Sequence, residues 1–158
     1  MNPGAWPEDG SALDIAERLR ALADLVPILE SADADFGHWE LPPPKNGVHS
    51  FGYFLFGPTA DAFTAAVGRG GWVIIGFDWR SWLEADDGRA LRDRPEALDA
   101  ATPNQLAMLI TAIIRSDRFV EGSIAGAFES GLLARIARRA AALLAELETS
   151  GTQHDGHS

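Results

Sequence analysis

The sequence predicts a mainly α-helical, single compact domain of about five or six helices. A small two-stranded β element, around 51–56 and 72–76, is compatible with it, as is plain extended chain at both places. Three observations lead there. Apolar residues recur at helical spacing near the start, the middle and the end of the chain. Two segments carry well-formed helix starts. The 158 residues suit one domain that buries roughly 70% of its unfolded surface.

Residues 1–10 lack periodicity and read as disordered, so the globular part is placed at 11–147. Ser11 has the chemistry of an N-cap, with Asp14 three residues on. Ile15, Leu19, Leu22 and Val26 then mark one apolar face, and Pro27 ends or kinks the helix near Val26. A further turn fits Ile28–Glu30. Residues 32–50, with three consecutive prolines and Asn46-Gly47, read as a long loop pinned by Phe36 and Trp39.

Phe51–Phe56 is aromatic and strand-like until Gly57-Pro58 breaks it. Thr59 is the expected cap of a short helix closed by Gly68. Trp72–Gly76 reads as a buried strand, which would pair with 51–56 around that helix. Asp78 is the expected N-cap of the next helix, with Phe77 and Trp82 at the two positions of a hydrophobic staple. Asp86-Asp87-Gly88 should stop it, leaving 88–101 as polar turns interrupted by Pro95.

Thr102-Pro103-Asn104-Gln105 is a capping box with proline at the first helical position. Leu106, Leu109, Ile110 and Ile113 form the stripe behind it, and the helix should end at 115–117. A short helix over 118–130 repeats Gly122, Gly126 and Ser130 on one face, which would admit close helix contact. Gly131 can close it. The last helix, about 132–147, carries Leu132, Ile136, Ala140, Leu143 and Leu147; residues 148–158 read as a disordered tail.

Hydrophobic residues make up 46% and charged residues 23%, ordinary for a globular protein. The absence of cysteine excludes disulfides, thiolate metal sites and a thiol nucleophile. The net charge of −10 argues against a nucleic-acid backbone as the main partner. Met1–Gly10 has neither a basic nor an apolar signal region, and no apolar run approaches the ~20 residues of a membrane span. The expectation is a cytoplasmic protein without membrane association. The acidity lies mostly at 1–40 and in the tail, whereas 101–145 is slightly basic.

No nucleophile, base and electrophile come together as a set, so no catalytic residue, metal or cofactor is assigned. Gly68–Gly71 precedes its strand and fits no phosphate-binding pattern. The candidate ligand site is the cluster Arg115, Asp117, Arg118 and Glu121, near Trp79 and Trp82. Arg115 and Arg118 would donate to a phosphate or carboxylate, oriented by Asp117 and Glu121. The competing reading is an ion network that docks two helices. Eleven of the fourteen aromatic residues fall between 36 and 82. They either wall a pocket or build the core. Arg135, Arg138 and Arg139 form a basic face suited to an anionic partner or to the acidic first helix. His38 and His49, with Asp35 and Glu40, lack metal-ligand spacing.

Phe77-Asp78-Trp79 with Trp82, then Thr111–Ile124 (TAIIRSDRFVEGSI) and Gly131–Arg139 (GLLARIARR), resemble a family of small bacterial and phage proteins. That family is known only as a domain of unknown function. The resemblance covers roughly 51–145 and is carried by Phe77, Asp78, Trp79, Trp82, Arg115, Arg118, Phe119, Glu121, Gly122 and Gly131. It implies no activity, substrate or cofactor. The favoured expectation is a non-catalytic binding or regulatory protein, of which a phage- or defence-associated accessory protein is one type. The alternatives are a small enzyme or nucleotide- or phosphate-binding protein built on the Arg115–Glu121 cluster, and a structural subunit. A protein partner and the oligomeric state stay open.

Overall fold

The computed structural model describes residues 15–41, 43–47, 52–117 and 122–155. The expected cap at Ser11 lies outside them, as do Arg118, Phe119 and Glu121. Among the described residues the order is α1 (Ile15–Ala23), α2 (Val26–Leu29), β1 (Gly37–Glu40), β2 (Tyr53–Phe56) and α3 (Pro58–Gly70). Then follow α4 (Trp79–Glu84), α5 (Asp86–Asp93), α6 (Pro95–Leu98), α7 (Pro103–Ser116), α8 (Ser123–Glu129) and α9 (Leu132–Asp155). The domain is mainly α with one small antiparallel sheet. The helices outnumber the expected five or six because α5 forms where polar turns were expected, and α2 and α6 are single turns built on a proline at their start.

The apolar face of α1 packs chiefly on α9 and then on α3. Leu19 and Leu22 are fully enclosed there. The first helix ends at Ala23, a turn earlier than expected. Pro27 has no N–H to give an ongoing helix, so the chain restarts with Pro27 in the first turn of α2. The core joins Phe63 of α3, Leu106, Leu109 and Ile110 of α7, and Leu133 and Ile136 of α9. α9 continues to Asp155, beyond the apolar stripe, and Leu147 is exposed.

The small sheet differs from the expected pairing. β2 pairs with β1, which lies inside the segment read as a loop, in the register Gly37↔Phe56, His38↔Leu55, Trp39↔Phe54, Glu40↔Tyr53. Across this ladder the Trp39 and Phe54 rings meet edge-on at 5.4 Å. Residues 72–76 form no ladder. Trp72 and Ile74 point inward while Ile75 is 88% exposed, and Gly76 has φ 78°. Side chains, not a strand, hold this backbone. The Ile74 N–H donates to Thr111 Oγ1 at 2.9 Å, and Thr111 itself donates to the Ala107 carbonyl at 2.7 Å.

Two helix boundaries also need correcting. Gly57, not Thr59, is the N-cap of α3, and Pro58 takes the first turn. Thr59 is buried and ties down the preceding loop: its Oγ1 accepts from the Asp35 N–H at 2.8 Å, and its own N–H donates to the Asp35 carbonyl at 2.9 Å. The helix runs past Gly68 to Gly70, and Gly71 closes it in the left-handed region at φ 61°. α4 ends at Glu84, where expected, but Asp86-Asp87-Gly88 then starts a further helix, α5, in place of turns. Acids favour the first turn of a helix, and a Cβ on Gly88 would sit 2.0 Å from the Trp82 carbonyl oxygen.

Candidate functional site

α4 is held at its start by local chemistry. The Asp78 carboxylate accepts from the Ser81 N–H at 3.3 Å and from the Ser81 hydroxyl at 2.8 Å. These bonds, with Arg80 nearby, hold the Asp78 carboxyl below the usual aspartate range. Phe77 and Trp82 meet edge-on at 5.9 Å, and the Arg80 guanidinium lies 5.3 Å from the centre of the Trp79 ring. Trp79 and Trp82 are thus engaged locally. At α7, the Gln105 N–H donates to Thr102 Oγ1 at 3.2 Å and the Thr102 N–H donates to Gln105 Oε1 at 2.9 Å.

Of the charged cluster, Arg115 and Asp117 lie within the described residues, and both are half-buried. Asp117 has a structural partner set. Its Oδ1 accepts from the N–H of Gly122 at 3.1 Å and of Ile124 at 3.2 Å, so it caps α8 across the connection from α7. Gly122 is indispensable there: its φ is 99°, and a Cβ would lie 2.6 Å from the Trp39 ring. Gly131 likewise takes a positive φ, 84°, between α8 and α9. Gly126 departs from the expected close helix contact, because among the described residues a Cβ there would meet no atom within 4 Å.

The open space above Gly126 is part of a cleft of about 480 Å³. Leu83, Leu109, Ile113, Ala127 and Leu132 supply its apolar wall, and Ser116, Ser123 and Ser130 its hydroxyls. Arg92 and Asp93 stand in its lining, joined as a fork at 2.9 and 3.0 Å. Each partner stabilises the charge of the other, lowering the Asp93 carboxyl and raising the Arg92 guanidinium. α4 contributes Leu83 to this cleft, while Trp79 and Trp82 are not in its lining. Arg92 and Asp93 carry no motif spacing and belong to the stretch 88–101 expected to form polar turns.

The second open feature is the β1–β2 hairpin. Tyr53, Leu55, Phe56, Trp39 and Leu41 are 42–72% exposed. The register puts His38, Glu40, Tyr53 and Leu55 on one face, where His38 Nε2 and Glu40 Oε1 are 2.8 Å apart. Trp39, Phe54 and Phe56 share the other face with Phe36, which stacks on Phe128 of α8 at 4.6 Å. Among the described residues no third strand joins either edge.

Arg138 and Arg139 of the basic face of α9 are engaged within the molecule, whereas Arg135 is exposed. Arg138 pairs with Glu30, which lowers the Glu30 carboxyl, and Arg139 donates to the Ala101 carbonyl at 2.8 Å. Arg20 of α1 and Glu148 of α9 approach to 3.6 Å. No group of three or more His, Asp or Glu side chains is placed to hold a metal among the described residues. No described helix is long and apolar enough to cross a membrane.

The profile of a family of unknown function, DUF6508, matches residues 15–146. The chain belongs to this family. The match takes in every helix from α1 to α8, the hairpin and most of α9. No curated protein and no solved structure matches the chain. The DUF6508 assignment carries no activity with it, so function has to be argued from the two open features.

Proposed function

We propose that this protein is a non-catalytic binding protein and that the β1–β2 hairpin is its binding surface. The observation that carries the reading is the row of large apolar side chains left in solvent on both faces of a two-stranded sheet. A two-stranded sheet is marginal by itself, and contiguous exposed apolar surface of this kind favours association with a partner. Among the described residues no third strand covers the edges, whose backbone donors and acceptors suit an extended segment.

The partner's chemistry follows from charge. Across residues 31–57, Asp33, Asp35 and Glu40 face a single Lys45, and the whole chain carries −10. An extended protein segment with apolar residues and interspersed Lys or Arg is the complement. The test is selection of a displayed random-peptide library on the immobilised protein. Selected peptides should be apolar and net basic, and should move the backbone amide NMR signals of 37–40 and 53–56. Net acidic peptides, or a footprint elsewhere, would overturn the proposal.

A further inference from the structure

We infer that the cleft over Gly126 is a second binding site, separate from the hairpin, for a small uncharged ligand with an apolar body and a hydrogen-bond-donating head. Its volume of about 480 Å³ lies within the ~300–1,000 Å³ range of small-molecule sites. Leu109, Ile113, Ala127 and Leu132 offer the apolar body a wall assembled from α7, α8 and α9.

Two of the three hydroxyls, those of Ser116 and Ser130, bear on the polarity of the head. Ser116 donates to the Ile113 carbonyl at 3.1 Å, and Ser130 donates to the Ala127 carbonyl at 3.2 Å. A hydroxyl has one proton to give, so both oxygens are left with acceptor capacity. The ligand therefore supplies donors. Its charge is decided by Arg92 and Asp93. The two groups are joined through two parallel bonds, so their opposite charges cancel and the lining carries no net charge there. An anionic ligand beside Arg92 would also meet Asp93, and a cationic one beside Asp93 would also meet Arg92, so neither ion gains a net attraction. A neutral donor, such as a primary amide or an alcohol, disturbs neither.

Gly126 supports the same site. It lies inside α8 without a positive φ, and among the described residues no neighbour forbids a side chain. Neither backbone conformation nor packing requires glycine, yet its missing side chain keeps the cleft open.

The experiment compares three probes of one shape: 4-phenylbutanamide, 4-phenylbutyrate and 4-phenylbutylammonium. Each is titrated into the full chain and followed by amide ¹H–¹⁵N NMR. The amide should bind about tenfold tighter than either ion, moving the signals of Gly126, Ala127 and Ser130. Gly126→Leu should fill the space and abolish those shifts while the signals of α1 and α3 stay in place. Ser116→Ala, which keeps the space, should weaken the amide and narrow its advantage over the ions. Tighter or equal binding of either ion, no movement of the cleft signals with any probe, or unchanged amide binding in both variants would each overturn the inference.

Discussion

The indole N–H of Trp72 donates to the backbone carbonyl of Arg18 at 3.0 Å. The reverse link is present too: the Arg18 guanidinium donates to the Gly71 carbonyl at 3.3 Å. Trp72 and Arg18 are both enclosed, so the end of α3 and the first helix are locked together by a large ring and two hydrogen bonds in the interior. Trp72→Phe keeps an aromatic ring but loses the donor and leaves space behind. It should cost about 1–3 kcal/mol in urea unfolding followed by circular dichroism. A change within about 0.5 kcal/mol, the scale of surface substitutions, would contradict this packing.

Asp78 provides a pH signature. Its folded carboxyl lies below the ordinary aspartate value of 3.8, chiefly through the hydrogen bond from the Ser81 hydroxyl. The sign follows from linkage: a depressed folded value means the unfolded chain takes up the proton first. The contribution is present above the ordinary value and is lost as pH falls through the lower folded value. Asp78→Ala should lower Tm at neutral pH, and Asp78→Asn should lower it less, since asparagine also caps. The gap between wild type and Asp78→Asn should shrink below about pH 4. A gap that widens on acidification would show that Asp78 is not acting as an ionised cap.

Two glycines only four residues apart should respond in opposite directions. Gly126→Ala meets open space inside a helix and should raise stability by up to about 1 kcal/mol. Gly122→Ala meets both a left-handed backbone and the Trp39 ring and should lower it by more than about 1 kcal/mol. Thermal unfolding of the two variants under identical conditions checks both signs.

Thr102→Ala should cost about 1 kcal/mol, because it removes the acceptor of the Gln105 N–H and half of a reciprocal pair. Gln105→Ala removes the other half and should cost less, since the side-chain oxygen of Thr102 still caps the helix. Equal, negligible effects in urea unfolding would contradict a working capping box.

The local devices were legible because their chemistry spans only a few residues. The Asp78 cap with its Phe77–Trp82 staple and the Thr102–Gln105 box are decided by residue type at fixed spacing. The stripe of α7 was legible for the same reason. Long-range partners were not. Nothing near Trp72–Gly76 in sequence reveals that Thr111 would satisfy its backbone, so an apolar run was read as a strand. The brevity of Gly37–Glu40 concealed a strand whose partner lies 13–19 residues on. The aromatic middle divided in a way that composition cannot express: Phe36, Phe54, Phe63 and Trp72 went inward, while Trp39, Tyr53 and Phe56 stayed about half-exposed. Asp117 was identified as a site residue, but its proximity to Gly122 and Ile124 turns its carboxylate toward backbone N–H groups.

The hairpin proposal meets its most direct test in one affinity measurement. A net basic, apolar peptide selected on the wild-type protein is titrated calorimetrically into the Tyr53→Ser/Leu55→Ser variant. Both substitutions lie on the outward face and leave Phe54 and its packing intact. The account predicts at least a tenfold loss of affinity with an unchanged Tm. Equal affinity in wild type and variant would contradict the hairpin as the binding surface.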